Sequence, residues 1–447
     1  MSVFKAYDIR GTYPDQIDEK LARKIGAAFA KFLKAKRLVV GRDMRTMAPS
    51  VQDAVIEGIL DQGCDVIDIG LASTPMAYYA IGKIPCQGGL NVTASHNPKQ
   101  YIGFKLCREE ARPLSGDTGI KDIERLVNTD PLAPVARRGK RDQVNVKKDF
   151  VKHIASFAKG IQPVSFVVDY ANGMGAAESP DIFKAISGLT AIPLYEKLDG
   201  TFPNHEANPL HEPNLDDLRK AVKQHKTTLG LAFDGDADRC AFVDEDGRTV
   251  HADLITVMLA RGFLERAPGK GIIYDLRSSK VVPEEILRLG GRPVRERVGH
   301  SFMKETMRKK DCIGGGELSG HFYFAENYYT DCGVLAAIMV LNQLSKEGKT
   351  LKQAADELRK YHGTGEVNFK VADKEALMKQ VAERFRDAEI DYLDGVTVTY
   401  PEWWVNVRPS NTEPLLRMCL EANTKKIMEE KRDLMFSILG KPVAGSH

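Results

Sequence analysis

Three consecutive phrases decide the fold class: Arg37-Leu38-Val39-Val40-Gly41-Arg42, then Pro49 to Gln62, then Cys64-Asp65-Val66-Ile67-Asp68-Ile69-Gly70. The first and third are short, apolar and rich in β-branched residues, which reads as buried strands. The middle phrase has apolar residues at helical spacing. Strand, helix and strand make a βαβ unit, and Asp18 to Leu33 ahead of it is a further helix. The phrase returns twice. Val164 to Tyr170 leads through Ala171-Asn172-Gly173-Met174-Gly175 and a helix to Thr190 to Tyr195, and Gly271 to Leu276 leads through Val281 to Leu289 to Arg292 to Val298. The copies begin about 110 to 130 residues apart, which predicts three related α/β domains in tandem.

The end of the chain differs. A strand (Glu366 to Val371), a helix (Lys374 to Phe385), a hairpin turning at Asp394-Gly395, strands at Trp403 to Val407 and Leu415 to Ala422, and a helix from Thr424 predict a smaller α+β domain. Trp403 and Trp404 point to opposite faces of their strand, so at least one belongs to a core. The expectation is an α/β protein of three tandem domains plus a C-terminal α+β domain around a central cleft. The expected limits are residues 1–142, 143–246, 247–362 and 363–447. The junctions fall in the polar stretch Ala136 to Gln143, the hairpin Asp244-Glu245-Asp246-Gly247 and the region of His362-Gly363.

Composition excludes several classes of protein. The 447 residues carry a net charge of only +3, so nothing points to nucleic acid or membrane partners. The longest apolar run, Val334 to Leu341, cannot span a bilayer. The seven cysteines (Cys64, Cys86, Cys107, Cys240, Cys312, Cys332 and Cys419) are scattered and never spaced Cys-x-x-Cys. That spacing predicts reduced thiols in the cytoplasm rather than a zinc site or disulfide framework.

Four stretches carry chemistry. Thr93-Ala94-Ser95-His96-Asn97-Pro98 follows a strand end, and Pro98 stops the strand, so Ser95 is offered on a turn beside His96 with Lys105 close behind. Leu229 to Phe233 runs into Asp234-Gly235-Asp236-Ala237-Asp238-Arg239. Read as extended chain, its three carboxylates share a face and call for magnesium or calcium. An EF-hand is excluded because Arg239 occupies the position that requires glycine. A phosphatase with Asp234 as nucleophile would leave Ser95 idle. Gly314-Gly315-Gly316-Glu317-Leu318-Ser319-Gly320-His321 sets a carboxylate and a hydroxyl among glycines, suited to the vicinal hydroxyls of a sugar. Arg408-Pro409-Ser410-Asn411-Thr412-Glu413-Pro414 joins two strands and offers a guanidinium, hydroxyls, an amide and loop N–H groups to a phosphate.

In this order, one per inferred domain, these stretches resemble the α-D-phosphohexomutase family, most closely its phosphomannomutase/phosphoglucomutase branch, over nearly the whole chain. The resemblance implies reversible transfer between a hexose 1-phosphate and its 6-phosphate, of mannose and/or glucose. It would pass through phosphorylated Ser95 and a hexose 1,6-bisphosphate, which also serves as activator. It implies Mg2+ held by Ser95, Asp234, Asp236 and Asp238, and acid–base work by His96, Lys105, Arg10 and His321. Tyr7, Arg239, Arg277, His300, Glu317, Ser319, Arg408, Ser410, Asn411, Thr412 and Arg417 would contact the substrate. The partner is a small phosphosugar, with no obligate protein partner. Alternatives are a phosphoglucosamine mutase, whose family branch usually has Gly at the position of Asn411, a phosphosugar hydrolase using the same serine, and a silent phosphosugar-binding protein.

Overall fold

The computed structural model describes residues 2–410 and 415–443. All three βαβ copies form with parallel strands. Arg37–Arg42 pairs with Asp65–Leu71, Val164–Asp169 with Leu189–Leu194, and Gly271–Asp275 with Arg292–Glu296. The crossover helices are Ala48–Asp61, Gly175–Ala185 and Val281–Arg288. A parallel pair needs such a crossover, and the helix covers the apolar strands that the sequence pattern marks.

Each copy then continues in the same way. A further strand joins the first strand of the copy in parallel (Gly88–Val92, Leu229–Phe233 and Cys312–Gly316). The chain reverses, and the next strand returns antiparallel (Tyr101–Arg108, Cys240–Asp244 and Phe322–Phe324). That reversal is the same topological position in all three sheets. It holds the Ser95 stretch, the triple-aspartate stretch and the Glu317–His321 stretch in turn. All three lie at the carboxyl ends of parallel strands, where α/β sheets place their ligands.

The fourth sheet is antiparallel throughout, in the order His362–Phe369, Leu416–Ala422, Trp403–Pro409, Val396–Thr399, Glu389–Asp391. Alternation divides its faces. Val367, Val405, Val407, Met418 and Leu420 face the helices Lys374–Arg384 and Lys425–Leu439 and form a core of their own. The opposite face carries polar and charged side chains. By contrast, the largest core runs without a break through elements of the first three sheets. The fourth domain therefore has a hydrophobic core of its own. Both tryptophans are buried, Trp403 in that core and Trp404 on the other face.

Some limits shift. The stretch expected as a plain junction ends in the strand Arg141–Gln143, at the edge of the first sheet, so residue 142 lies inside a strand. Thr249–Val250 completes the second sheet beyond residue 246, and the fourth begins at His362. A period-2 pattern cannot register strands of two or three residues at a sheet edge. The seven cysteines are free thiols. Among the described residues no helix is long and apolar enough to cross a membrane.

Candidate active site

Ser95 sits at the tip of its turn with φ at 50°, in the left-handed region, and is buried. A residue with a Cβ there costs roughly 1–3 kcal/mol and persists only where surroundings enforce it. Arg45 does so. Its Nη2 donates to the carbonyls of Ser95 (2.9 Å) and Asn97 (2.6 Å), and its Nη1 to those of Pro98 (2.8 Å) and Tyr101 (3.1 Å). Asp43 supports the Arg45 Nε at 3.2 Å. Ser95 Oγ donates to Asp234 Oδ2 at 2.8 Å and lies 3.3 Å from His96 Nδ1. Burial, then Arg239, Arg10 and Lys105, hold His96 well below the usual histidine range, so its ring is neutral.

The three aspartates converge, but not as an extended strand. Residues 234–239 turn between two antiparallel strands, with the Ala237 N–H donating to the Asp234 carbonyl and Ala237 at φ 65°. The turn brings the side chains together, which corrects the expectation of an i, i+2, i+4 face. Gly235 lets the turn lie against the serine loop, because a Cβ there would meet the Ser95 carbonyl oxygen at 2.4 Å. Lys105 Nζ reaches Asp236 Oδ2 at 2.7 Å and also pairs with Asp238 Oδ2. Burial alone would lower Lys105, yet Asp236 and Asp238 raise it, so it is a fixed cation. Burial and its two neighbours push Asp234 well up. Burial opposes Asp238 too, but Lys105 and His321 hold it well below the carboxylate range.

The donor set fits a hard divalent cation. Asp234, Asp236 and Asp238 each offer an oxygen within 4.8 Å of the others. Asp236 Oδ1 is buried without a hydrogen-bond partner among the described residues, and Asp238 Oδ1 faces only the more distant His321 Nε2 at 3.4 Å. Buried anionic oxygens left unpaired in this way are costly unless a cation meets them.

The remaining residues of the first three loops close around this point. Arg10 donates to Asn97 Oδ1 and pairs with Asp8; burial opposes its charge, but Asp8 and then Asp236 raise it. Arg239 Nε lies 3.3 Å from His321 Nε2 and 3.8 Å from Asp234. His321 Nδ1 is 2.9 Å from Ser319 Oγ. His300 begins the helix His300–Lys309, with its ring 5.8 Å from that of His321 and 5.5 Å from that of Tyr7. Burial, then Lys304 and Lys105, keep His300 neutral. Glu317 is buried and accepts from the Gly299 N–H (2.9 Å) and from the Tyr323 hydroxyl. His321 Nδ1 lies 3.6 Å from its Oε2.

On the polar face of the fourth sheet, Arg408 and Arg417 stand opposite each other on paired strands. The Ser410 N–H donates to the Leu415 carbonyl. Asn411 and Thr412 lie outside the described residues. Arg277 is fixed by acidic partners: Asp275 takes its Nε at 3.1 Å and its Nη2 at 2.7 Å, and its Nη1 is 3.4 Å from Glu366.

Comparison with known proteins agrees with this layout. Four family descriptions under the heading phosphoglucomutase/phosphomannomutase match in chain order: alpha/beta/alpha domain I over residues 1–133, domain II over 148–247, domain III over 251–361, and the C-terminal domain over 366–437. The chain belongs to the phosphoglucomutase/phosphomannomutase family. The phosphomannomutase of Escherichia coli (strain K12) is 38% identical over 451 residues, covering 98% of this chain and 99% of its own. The crystal structure of a family protein from Burkholderia thailandensis is 30% identical with a TM-score of 0.91, covering 98% of this chain and 96% of its own. An Aspergillus fumigatus N-acetylphosphoglucosamine mutase, solved in complex with glucose 1,6-bisphosphate, shares the fold at 13% identity and a TM-score of 0.62, covering 97% and 94%. The mutase is thus a hexose-phosphate mutase, an isomerase that moves a phosphoryl group within one sugar phosphate.

Sequence reasoning misses several residues of the mutase that build this site. Arg45 and Asp43 hold the serine turn. Thr74 Oγ1 donates to Asp236 Oδ2 at 2.6 Å, and its N–H to the Asp236 carbonyl at 3.0 Å, while Asn91 supports its hydroxyl at 3.1 Å. Glu366 gathers three arginines. The one available signal was positional: Asp43-Met44-Arg45 and Ser73-Thr74-Pro75 each follow the carboxyl end of a parallel strand.

Proposed function

We propose that Ser95 carries the transferred phosphoryl group, and that the mutase interconverts hexose 1- and 6-phosphates of mannose and glucose by way of a 1,6-bisphosphate. The observation that carries the reading is the Ser95 hydroxyl, buried on a strained turn, 2.8 Å from Asp234 and 3.3 Å from a neutral imidazole. Phosphoryl transfer needs in-line positioning and charge neutralisation more than covalent help, and these groups supply both. Asp234, Asp236, Asp238 and Ser95 would hold Mg2+, which when bound draws charge from the phosphate oxygens. Lys105, permanently charged, neutralises the aspartates and the arriving phosphate. The neutral His96, with His321, would pass the proton of the attacking hydroxyl, and Arg10, kept charged by Asp8 and Asp236, would offset the charge that develops. Arg239, His300 and Tyr7 line the reacting end, and Arg408, Ser410, Asn411, Thr412 and Arg417 clasp the phosphate that is not reacting. The bisphosphate bound to the fungal relative is the species that this route requires, and it would serve as activator here. The free cysteines support a cytoplasmic setting. Peptide mapping after incubation with a hexose 1,6-bisphosphate should place an acid-stable phosphate on Ser95. An acid-labile acyl phosphate on Asp234 would overturn the reading.

Sugar selectivity follows from the turn-round. One clasp must hold first the 1-phosphate and then the 6-phosphate, so only hydroxyls that exchange places, O3 and O4, can use the same groups twice. Glu317 and Ser319 suit that pair, and nothing in such a site reads O2. Mannose and glucose 1-phosphates should have comparable kcat/KM. A preference on the order of 10⁴ for either, the mark of a buried hydrogen bond to O2, would show that the loop reads C2.

A further inference from the structure

The polar face of the fourth sheet already holds an anion of the protein's own. Arg408 and Arg417 are direct cross-strand neighbours, a like-charge pair that is unfavourable unless something negative lies between them. Glu366, on the next strand and diagonal to Arg417, fills that need. Its Oε1 accepts from Arg417 Nη1 at 2.8 Å, its Oε2 pairs with Arg408 Nη2, and Arg277 Nη1 reaches Oε2 at 3.4 Å from the third domain. Burial opposes the charge, but Arg277, Arg408 and Arg417 keep the carboxyl below its ordinary range, so it is ionised. Arg277 is also held by Asp275, at 2.7 Å, so Glu366 is shared chiefly between Arg408 and Arg417. Glu366 and Arg417 are 23% and 22% exposed, so an incoming anion can reach Arg417 beside the carboxylate.

We propose that Glu366 is a positioning residue that competes with the non-reacting phosphate for Arg408 and Arg417, and so sets how readily the clasp releases the bisphosphate to turn round. The inference rests on the reading of Arg408 as the phosphate clasp. Each turnover breaks and remakes those contacts, since the two phosphates must exchange places. Guanidiniums with no other anion at hand would hold a phosphate tightly and release it slowly. Glu366 takes the donors as the phosphate leaves, which lowers the barrier to release, and it keeps both arginines in register for the next phosphate. The cost is weaker binding. Its gain is a faster exchange.

Glu366→Gln keeps the shape and removes the charge. The probe is glucose 1,6-bisphosphate, titrated calorimetrically on a Ser95→Ala background so that no phosphoryl moves, with steady-state kinetics on the otherwise unmodified chain. Affinity should tighten on the order of tenfold, the factor that about 1.4 kcal/mol represents, and KM and kcat should fall together. Glu366→Asp, whose shorter arm competes less well, should tighten binding by a smaller factor; it also decides the matter if the Gln variant fails to fold. Unchanged or weaker affinity in either variant overturns the proposal, because a residue that merely oriented the arginines would loosen binding when removed. Arg408→Ala separates the two readings. If it leaves bisphosphate affinity intact, the clasp itself is misassigned. If it weakens affinity while the Glu366 variants do not tighten it, only the role given to Glu366 falls.

Discussion

Lys105 is the counter-charge for two buried aspartates, and replacing it with methionine isolates that function. Lys105→Met keeps the length of the side chain and leaves Asp236 and Asp238 facing each other without the ammonium that now lies 2.7 Å from Asp236. What remains nearby is the Arg239 guanidinium, 3.8 Å from Asp234, and the His321 ring, 3.4 Å from Asp238. Removing one partner of a buried pair costs about 3–5 kcal/mol, because the other charge stays buried. At roughly 2–4 °C per kcal/mol, the melting temperature in chelator should drop by roughly 6–20 °C. Magnesium should restore much of this. A ligand at a hundredfold excess over its Kd contributes about 2.7 kcal/mol, and the variant's aspartates no longer share their oxygens with an ammonium. The assay is differential scanning calorimetry of both proteins in chelator and across a magnesium series. A variant that melts within about 2 °C of the parent in chelator would refute the charge reasoning, since that shift corresponds to only ~1 kcal/mol. So would a magnesium gain no larger than the parent's.

Three further outcomes are expected. Thr74→Val removes the hydroxyl that fixes Asp236 Oδ2, and magnesium affinity, read by manganese competition, should fall by about 10- to 100-fold; unchanged affinity would mean that Asp236 orients itself. Arg45→Lys cannot serve all four carbonyls of the serine turn, so the rate of Ser95 phosphorylation by bisphosphate should fall about 10²-fold, as a displacement near 1 Å does, and a normal rate would show that the turn holds itself. Burial pushes the carboxyl of Glu178 up from 4.5 to about 8, against the pull of Ser73 and Lys147. Between those values the folded chain keeps a proton that the unfolded chain gives up, so the stabilisation is complete below the lower value and is lost as pH rises through the upper one, at about 1.4 kcal/mol per unit. Glu178→Gln should therefore gain melting temperature relative to the parent between about pH 5 and pH 8; a constant difference would place the proton elsewhere.

The three βαβ copies are legible because parallel strands covered on both faces must be apolar along their length, as Leu38 to Val40, Phe166 to Val168 and Ile272 to Ile273 are. Ser95, the three aspartates and the Glu317 loop are legible because their residue types are rare in combination. The geometry behind them is less so: Asp234, Asp236 and Asp238 meet through a turn at Ala237, which spacing alone does not distinguish from an extended strand. Thr74 and Glu366 stay hidden for a different reason. Thr74 meets Asp236 at a separation of 162 residues, and Glu366 meets Arg408 across 42. A threonine after a strand and a glutamate within one are ordinary until the sheets are placed side by side.

The burial of two tryptophans on opposite faces of one strand has an optical consequence. They are the chain's only two. Trp403 is sealed in the core of the fourth domain, 5.1 Å from the Tyr400 ring and 5.5 Å from Phe385. Trp404 donates its indole N–H to Glu421 at 3.0 Å and borders a cavity of about 400 Å³ that third-domain residues Arg277 and Leu318 also line. Glu421 in turn accepts from the Lys280 N–H of that third domain at 2.9 Å. A rotation of the fourth domain would strain or break this relay and change the polarity around Trp404, while Trp403 travels with its own surroundings intact. The emission spectrum would then divide into a constant component and one that follows this contact, so the mutase carries a native fluorophore at the seam between its third and fourth domains.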